Sequence, residues 1–433
     1  MVLLDPAASG LGLSLVDKTG ALEADEVVSA SFCDAFSSKA AGTLTKRAAS
    51  LQRLVLQLYN QGVESPWRMA EADLYNALTA LRDNGCGATA PAHILESLRF
   101  LHGIIRFQCI DLEAVISARC KGLAHSSFLG KAPLKQRDPL SCSQVKALEN
   151  LMVRAGAVEQ CILGQVLFCV HAVCRWKDAQ RIKSLELLGS GESQVLFGDA
   201  LGSKTALSKE AKTKFTPYAA LAQGLTECNW GRLWMDARAK CGLSFGAGPE
   251  GYALPTRSLR LDAWGSTPMG AAEASAWIQE WLADESPGAK SLGTHSLKVT
   301  LLTWAGRSTI VKLSKAERLL LGHHVQPSVK SMLTYSREAY TSLAGKVLAL
   351  YRTIRSGAFD PDLDPASRVR QVADSLIDEE IAARVELQPE EVVAEQIDAS
   401  DEDSAESEAD GEDPAPFVLP NLPVLRAPFA NVD

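Results

Sequence analysis

The chain has 433 residues, of which 46% are hydrophobic and 22% charged, a length that allows two or three separate cores and a balance that excludes a fibrous or wholly unfolded protein. Its longest apolar stretch, "CILGQVLFCVHAVC" from Cys161 to Cys174, is too short to span a bilayer and carries Gln165 and His171, so it reads as a buried helix and no membrane partner is expected. The net charge of -8 hides a division: residues 41–360 carry 38 Lys/Arg against 26 Asp/Glu, and residues 361–433 carry 4 against 20, so a basic body compatible with polyanion binding precedes an acidic tail.

The start "MVLLDPAASG" has no basic segment before its apolar residues, which predicts an intracellular protein. The ten cysteines lie between Cys33 and Cys241 without a CxxC pair; this argues against a zinc ribbon or a disulfide scaffold and for reduced thiols. Residues 1–44 show no clear periodicity and are expected to form a poorly ordered arm. From about Thr45 the pattern turns helical: "LQRLVLQLYNQG" ends at a glycine, and "SPWRMAEADLYNALTALRDNG" has a Ser-Pro start and closes on Asn84-Gly85. "APAHILESLRFLHGIIRFQCI" repeats the arrangement, so residues 45–130 read as a small helical bundle. "GKAPLKQRDPL" is a basic, proline-flanked linker within 131–142. Helices resume at Ser143. Short apolar runs broken by Gly and Ser in "SLELLGSGESQVLFGDALGSKTALSKEAKTKFTPYA" predict a small antiparallel sheet with a Lys-rich turn. The section from Thr226 to Arg260 has no assignable pattern, and helices return from "GAAEASAWIQEWLADE" to about Ser356. In the tail, 357–433, "DPASRVRQVADSLIDEEIAARVEL" can form one more helix, whereas "DASDEDSAESEADGEDPAP" is too charged to fold. The whole is mainly α with a small antiparallel β-sheet.

Five separated pieces carry chemistry. Arg175 follows the most apolar helix, with Asp178 three residues on; it also reads as a cation at a helix C-terminus. Lys204 sits in the Lys-rich turn, where an exposed hairpin lysine is the plain alternative. His295 and Lys298, in "THSLKVTLLTWAGR", share one helix face and suit an anion, or form a solvated surface pair. His323 and His324 stand in "LLLGHHVQPS", as site residues or as helix-end packing. Tyr335 stands in "SMLTYSREAY", as a reactive phenol or a core ring.

In this order, Arg with an acid three on, Lys in a hairpin, "HxxK", "LGH" and a tyrosine downstream resemble the tyrosine recombinase (phage integrase) family, most of all the divergent recombinases of eukaryotic mobile elements. The resemblance covers about residues 45–350. It implies a helical core-binding domain over 45–130, then a tyrosine-recombinase-like α+β catalytic domain over 143–356. It implies DNA cutting and rejoining on double-stranded DNA, a tetramer on two sites, and a nuclear location. By the same resemblance Tyr335 attacks a phosphodiester to give a 3′-phosphotyrosine, and Lys204 protonates the leaving 5′ oxygen. Arg175, His295 and Lys298 hold the non-bridging oxygens, His323 assists, and Asp178 orients Arg175. Such chemistry needs fixed cations around the phosphate and no metal or cofactor. A catalytically silent relative acting by binding DNA or a partner is the alternative. Two features depart from the family: Lys298 replaces the arginine of "HxxR", a compact charge for a planar fork, and Tyr335 lies twelve positions after His323. Tyr340 is therefore the alternative nucleophile.

Overall fold

The computed structural model describes residues 6–17, 20–133, 136–202, 215–245, 251–257, 264–285, 291–323 and 338–382. Among them, two compact units divide at residues 134 and 135. No helix among the described residues is long and apolar enough to cross a membrane.

The first unit is all helical: α1 (Asp25–Phe36), α2 (Ala41–Asn60), α3 (Glu71–Asp83), α4 (Ala90–Ile105) and α5 (Ala118–Leu129). Leu74, Ala77, Leu78 and Leu81 of α3 recur at helical spacing and are buried against Leu54 and Leu58 of α2 and Ile94, Leu95 and Leu98 of α4. The Ser-Pro start expected for α3 is a 3-10 turn, Pro66–Arg68. The helix itself begins at Glu71, where the Asp73 carboxylate accepts from the Ala70 amide at 2.8 Å.

Order before Thr45 exceeds the expectation of a loose arm. The Gly10 amide donates to the Arg106 carbonyl at 2.7 Å and the Gln108 amide to the Ala8 carbonyl at 2.9 Å. Leu15 and Val28 are buried in the same core. Backbone bonds such as those of Ala8 and Gly10 leave no period in the sequence.

The second unit is built around α7 (Ala157–His171), apolar all round and buried from Cys161 to His171. Packed on it are α6 (Cys142–Arg154), α8 (Trp230–Lys240) and α10 (Thr294–Arg307). Helix α6 opens with a capping box: the Gln144 amide donates to Ser141 Oγ at 3.1 Å, and the Ser141 amide to Gln144 Oε1 at 2.9 Å. Helix α8 lies within the stretch from Thr226 to Arg260, which has no assignable sequence pattern. It seats so closely that a Cβ on Gly164 would lie 2.1 Å from Trp234 Cγ, a spot only glycine can occupy.

The expected sheet is present as an antiparallel meander of β1 (Ile182–Leu188), β2 (Val195–Leu201) and β3 (Phe215–Leu221), with Gly198 opposite Tyr218. A two-stranded ribbon, β4 (Pro255–Arg257) and β5 (Trp264–Pro268), leads to α9 (Ala271–Trp281). After α10 come α11 (Lys315–Leu321), α12 (Glu338–Arg355) and α13 (Pro365–Ala382), the last being the extra helix allowed for the tail. Residues expected to be linker are fastened to this unit: the Leu140 amide donates to Thr300 Oγ1 at 2.8 Å, and Arg137 to the Ser291 carbonyl at 2.7 Å.

Candidate active site

Helix α7 ends at His171, and the chain then turns sharply through Val173, whose φ of 51° is left-handed. A β-branched residue there costs about 1–2 kcal/mol. The turn delivers Arg175 to the N-cap of a short helix, Trp176–Ala179, so Arg175 does not cap the C-terminus of α7. Asp178, 1% exposed, sits 3.7 Å from the Arg175 guanidinium (Oδ2 to Nη1), whose side chain remains a third exposed. A buried carboxylate beneath a half-open guanidinium fixes its orientation while leaving donors toward solvent.

Lys298 approaches the same place from α10. It is 5% exposed. Burial, then the Arg175 guanidinium, pushes its amine down to about 8, opposed by Asp178 and Cys174. Lys298, more than a hundred positions from Arg175 and Asp178 in the chain, is thus their electrostatic neighbour. His295, on the first turn of α10, is exposed.

His323 terminates α11 in a left-handed conformation, φ 57°, with Nε2 3.0 Å from the Ala172 carbonyl. A carbonyl only accepts, so Nε2 carries the hydrogen and donates it. This bond ties the end of α11 to the turn that positions Arg175, and it engages the nitrogen that a phosphate contact would otherwise use. The His323 ring stands 4.3 Å from Tyr218 of β3 and 6.4 Å from Tyr340 of α12. Burial pushes the Tyr340 phenol up to about 12, which makes it a poor nucleophile. Lys204, His324 and Tyr335 lie outside the described residues.

Sequence reading missed two groups. Tyr218, 2% exposed, has its phenol pushed far up by burial, with the Asp178 carboxylate adding and Arg175 opposing. It joins the cation cluster to His323, and its only signal was an aromatic on the buried face of a strand. The second group is a buried polar chain. Glu149, with no side-chain exposure, accepts from the Leu225 amide (2.9 Å), the Thr226 amide (2.7 Å) and Thr226 Oγ1 (2.8 Å). It lies 3.2 Å from His171 Nε2, at ion-pair distance but off hydrogen-bond geometry. His171 Nδ1 meets the Tyr351 hydroxyl at 2.6 Å. The signal was polar residues inside apolar stripes: Glu149 beside Val145, Leu148 and Met152, and His171 in the most apolar run. This chain fastens α12 to α6 and α7.

No family model matches the chain, and no curated protein matches it either. Among solved structures, a XerH site-specific recombinase bound to palindromic difH substrate, in a post-cleavage complex, is 11% identical with a TM-score of 0.34, covering 65% of this chain and 73% of that one. A XerH site-specific recombinase in a pre-cleavage complex with difH substrate is 12% identical with a TM-score of 0.32, covering 70% and 93%. Likeness at this level carries no argument, and the functional reading rests on this chain's own residues.

Proposed function

We propose that this protein cuts and rejoins DNA strands as a tyrosine recombinase, with Tyr335 as nucleophile. The observation that carries the reading is the convergence of Arg175 and Lys298 over the buried Asp178, with His323 hydrogen-bonded into the turn that presents Arg175. Two cations on one carboxylate leave a net positive pocket suited to a phosphodiester, whose charge grows on its oxygens as it is attacked. In this reading Arg175 and Lys298 hold the non-bridging oxygens and Asp178 orients Arg175. Exposed His295, one helical turn from Lys298, adds a donor from the rim. His323 acts as a strut that sets Arg175 rather than as a phosphate contact through Nε2. Lys204 is the acid for the leaving 5′ oxygen, and Tyr335 is favoured over Tyr340 because the latter is buried. The first unit serves as the core-binding clamp on double-stranded DNA, and a tetramer on two sites, a mobile-element origin and a nuclear location complete the reading.

The test is a pool of nicked duplexes of mixed sequence, in which strand cleavage releases a short fragment and traps the joined protein. The protein is expected to form a covalent adduct that resists denaturant, and Tyr335→Phe to form none. Absence of any adduct from the unmutated protein overturns strand cutting. It would leave the second reading, a catalytically silent DNA-binding relative, which is favoured by Lys298 in place of a forked guanidinium.

A further inference from the structure

We infer that His171 is a positioning residue for strand cutting: fixed between Glu149 and Tyr351, it locks α12, the helix that follows Tyr335, to the turn that presents Arg175. The inference rests on the proposed DNA reading and adds what holds nucleophile and phosphate site in one register.

His171 stands where these parts meet. It is the last residue of α7, its side chain fully buried, and Arg175 follows four positions later. Its Nδ1 meets the Tyr351 hydroxyl at 2.6 Å, its Nε2 lies 3.2 Å from Glu149 Oε1, and its face stacks on Trp230 with centroids 5.2 Å apart. The adjacent Ala172 carbonyl accepts from His323, and Val173 then turns the chain to Arg175. An apolar side chain could fill this space but would accept several orientations. A ring with a phenol at one nitrogen and a carboxylate at the other accepts one, because either group left unmatched in the interior is costly.

On the α12 side, apolar packing alone does not set the register. A cleft with about 380 Å³ of empty space opens beside this bond, lined among others by His171, Ala172, His323, Tyr340 and Val347. Other polar ties of α12 are partly exposed ion pairs, Lys346 with Glu317 and both Arg352 and Arg355 with Glu192, of a kind that contributes little. The bond from Arg355 Nε to the Gly224 carbonyl, 3.0 Å, belongs to the His171 cluster, since Gly224 abuts Glu149 and His171. Tyr351 itself is fully buried. Back from Tyr351 to Glu338 is about 20 Å of helix, and a helix passes a shift along its axis undiminished. Tyr335 precedes Glu338 by three positions. Misplacing a reacting group by about 1 Å costs about a hundredfold in rate, so a slip at the His171 bond reaches the reaction.

The experiment uses the full chain, His171→Leu, Tyr351→Phe and, as a control for lost stability, Ile278→Ala, buried in α9 outside this chain of contacts. Covalent adduct formation is timed on saturating nicked duplex of mixed sequence, and duplex affinity is measured separately. The rate should fall about tenfold to a hundredfold in Tyr351→Phe, with affinity changed by less than about twofold because it is spread over many phosphate contacts. Ile278→Ala should keep the rate. Amide exchange under native conditions is read alongside: segments 168–179 and 338–351 should lose protection together in Tyr351→Phe and keep it in Ile278→Ala. Should His171→Leu fail to fold, Tyr351→Phe, which keeps the ring, carries the test. An unchanged rate in Tyr351→Phe overturns the inference, as does a loss that Ile278→Ala matches or one that affinity follows in full. If the unmutated protein forms no adduct, strand cutting falls, and exchange then decides on the lock: joint loss of protection upholds it and unlinked exchange overturns it.

Discussion

Replacing Glu149 by glutamine keeps the shape of a fully buried side chain and removes its charge. The carboxylate serves two amides and a hydroxyl, at 2.9, 2.7 and 2.8 Å, besides lying against His171. An amide group offers one acceptor oxygen, so if it keeps the Leu225 amide, its NH2 confronts the donors of Thr226. At least one buried N–H then loses its partner, at about 1–3 kcal/mol, and the surviving bond loses its charge assistance, so Glu149→Gln should cost about 2–4 kcal/mol. Gly224→Ala attacks the same arrangement from the backbone, because its Cβ would lie 1.8 Å from Glu149 Oε1. The two substitutions together should therefore cost much less than their sum. Urea unfolding followed by tryptophan fluorescence is the assay. Seven of the eight tryptophans belong to the second unit, with Trp67 alone in the first, so the signal reports the transition of interest. A loss from Glu149→Gln below about 1 kcal/mol, or strict additivity with Gly224→Ala, would refute the reasoning.

Tyr351→Phe keeps the ring and strips the hydroxyl that meets His171 Nδ1 at 2.6 Å; the orphaned buried nitrogen should cost about 1–3 kcal/mol in the same unfolding experiment. Arg106 closes α4 at φ 54° with an exposed side chain, so Arg106→Gly should raise the stability of the first unit, by about 0.5–1 kcal/mol once the flexibility of glycine in the unfolded chain is deducted; circular dichroism on urea titration reads the change. The Lys298 amine is lowered from an ordinary 10.5 to about 8 in the folded state, so between these values the unfolded chain holds the extra proton and this residue's contribution to stability rises with pH. Lys298→Met should accordingly be the more stable protein at neutral pH, with an advantage that shrinks as pH climbs from about 8 to 10.5; a difference independent of pH contradicts the shift.

The elements legible in the sequence are those whose signal is local. The apolar run of α7, the stripe of α3 and the alternation of β2 each state which face is buried before any partner is known. Helix α8 was not legible because Trp230 and Trp234 find their place only against α7, where Gly164 leaves room. The segment around Ala8 and Gly10 is held by backbone bonds to the residues after α4, which no local pattern announces. In the site, Arg175 and Asp178 could be paired from their spacing of three. The role of His323 could not, since its partner is a main-chain carbonyl 151 positions away. Tyr218 was hidden for a related reason: a buried strand aromatic looks the same whether it packs on leucine or on a histidine.

Strand cutting by this protein requires a tyrosine bonded to DNA phosphorus, and mass mapping of the trapped, nuclease-trimmed peptide reads that bond. A nucleotide remnant is expected on Tyr335, lost in Arg175→Ala while the protein stays folded. A remnant on Tyr340 or on any other residue, or an adduct whose yield ignores Arg175, would contradict it.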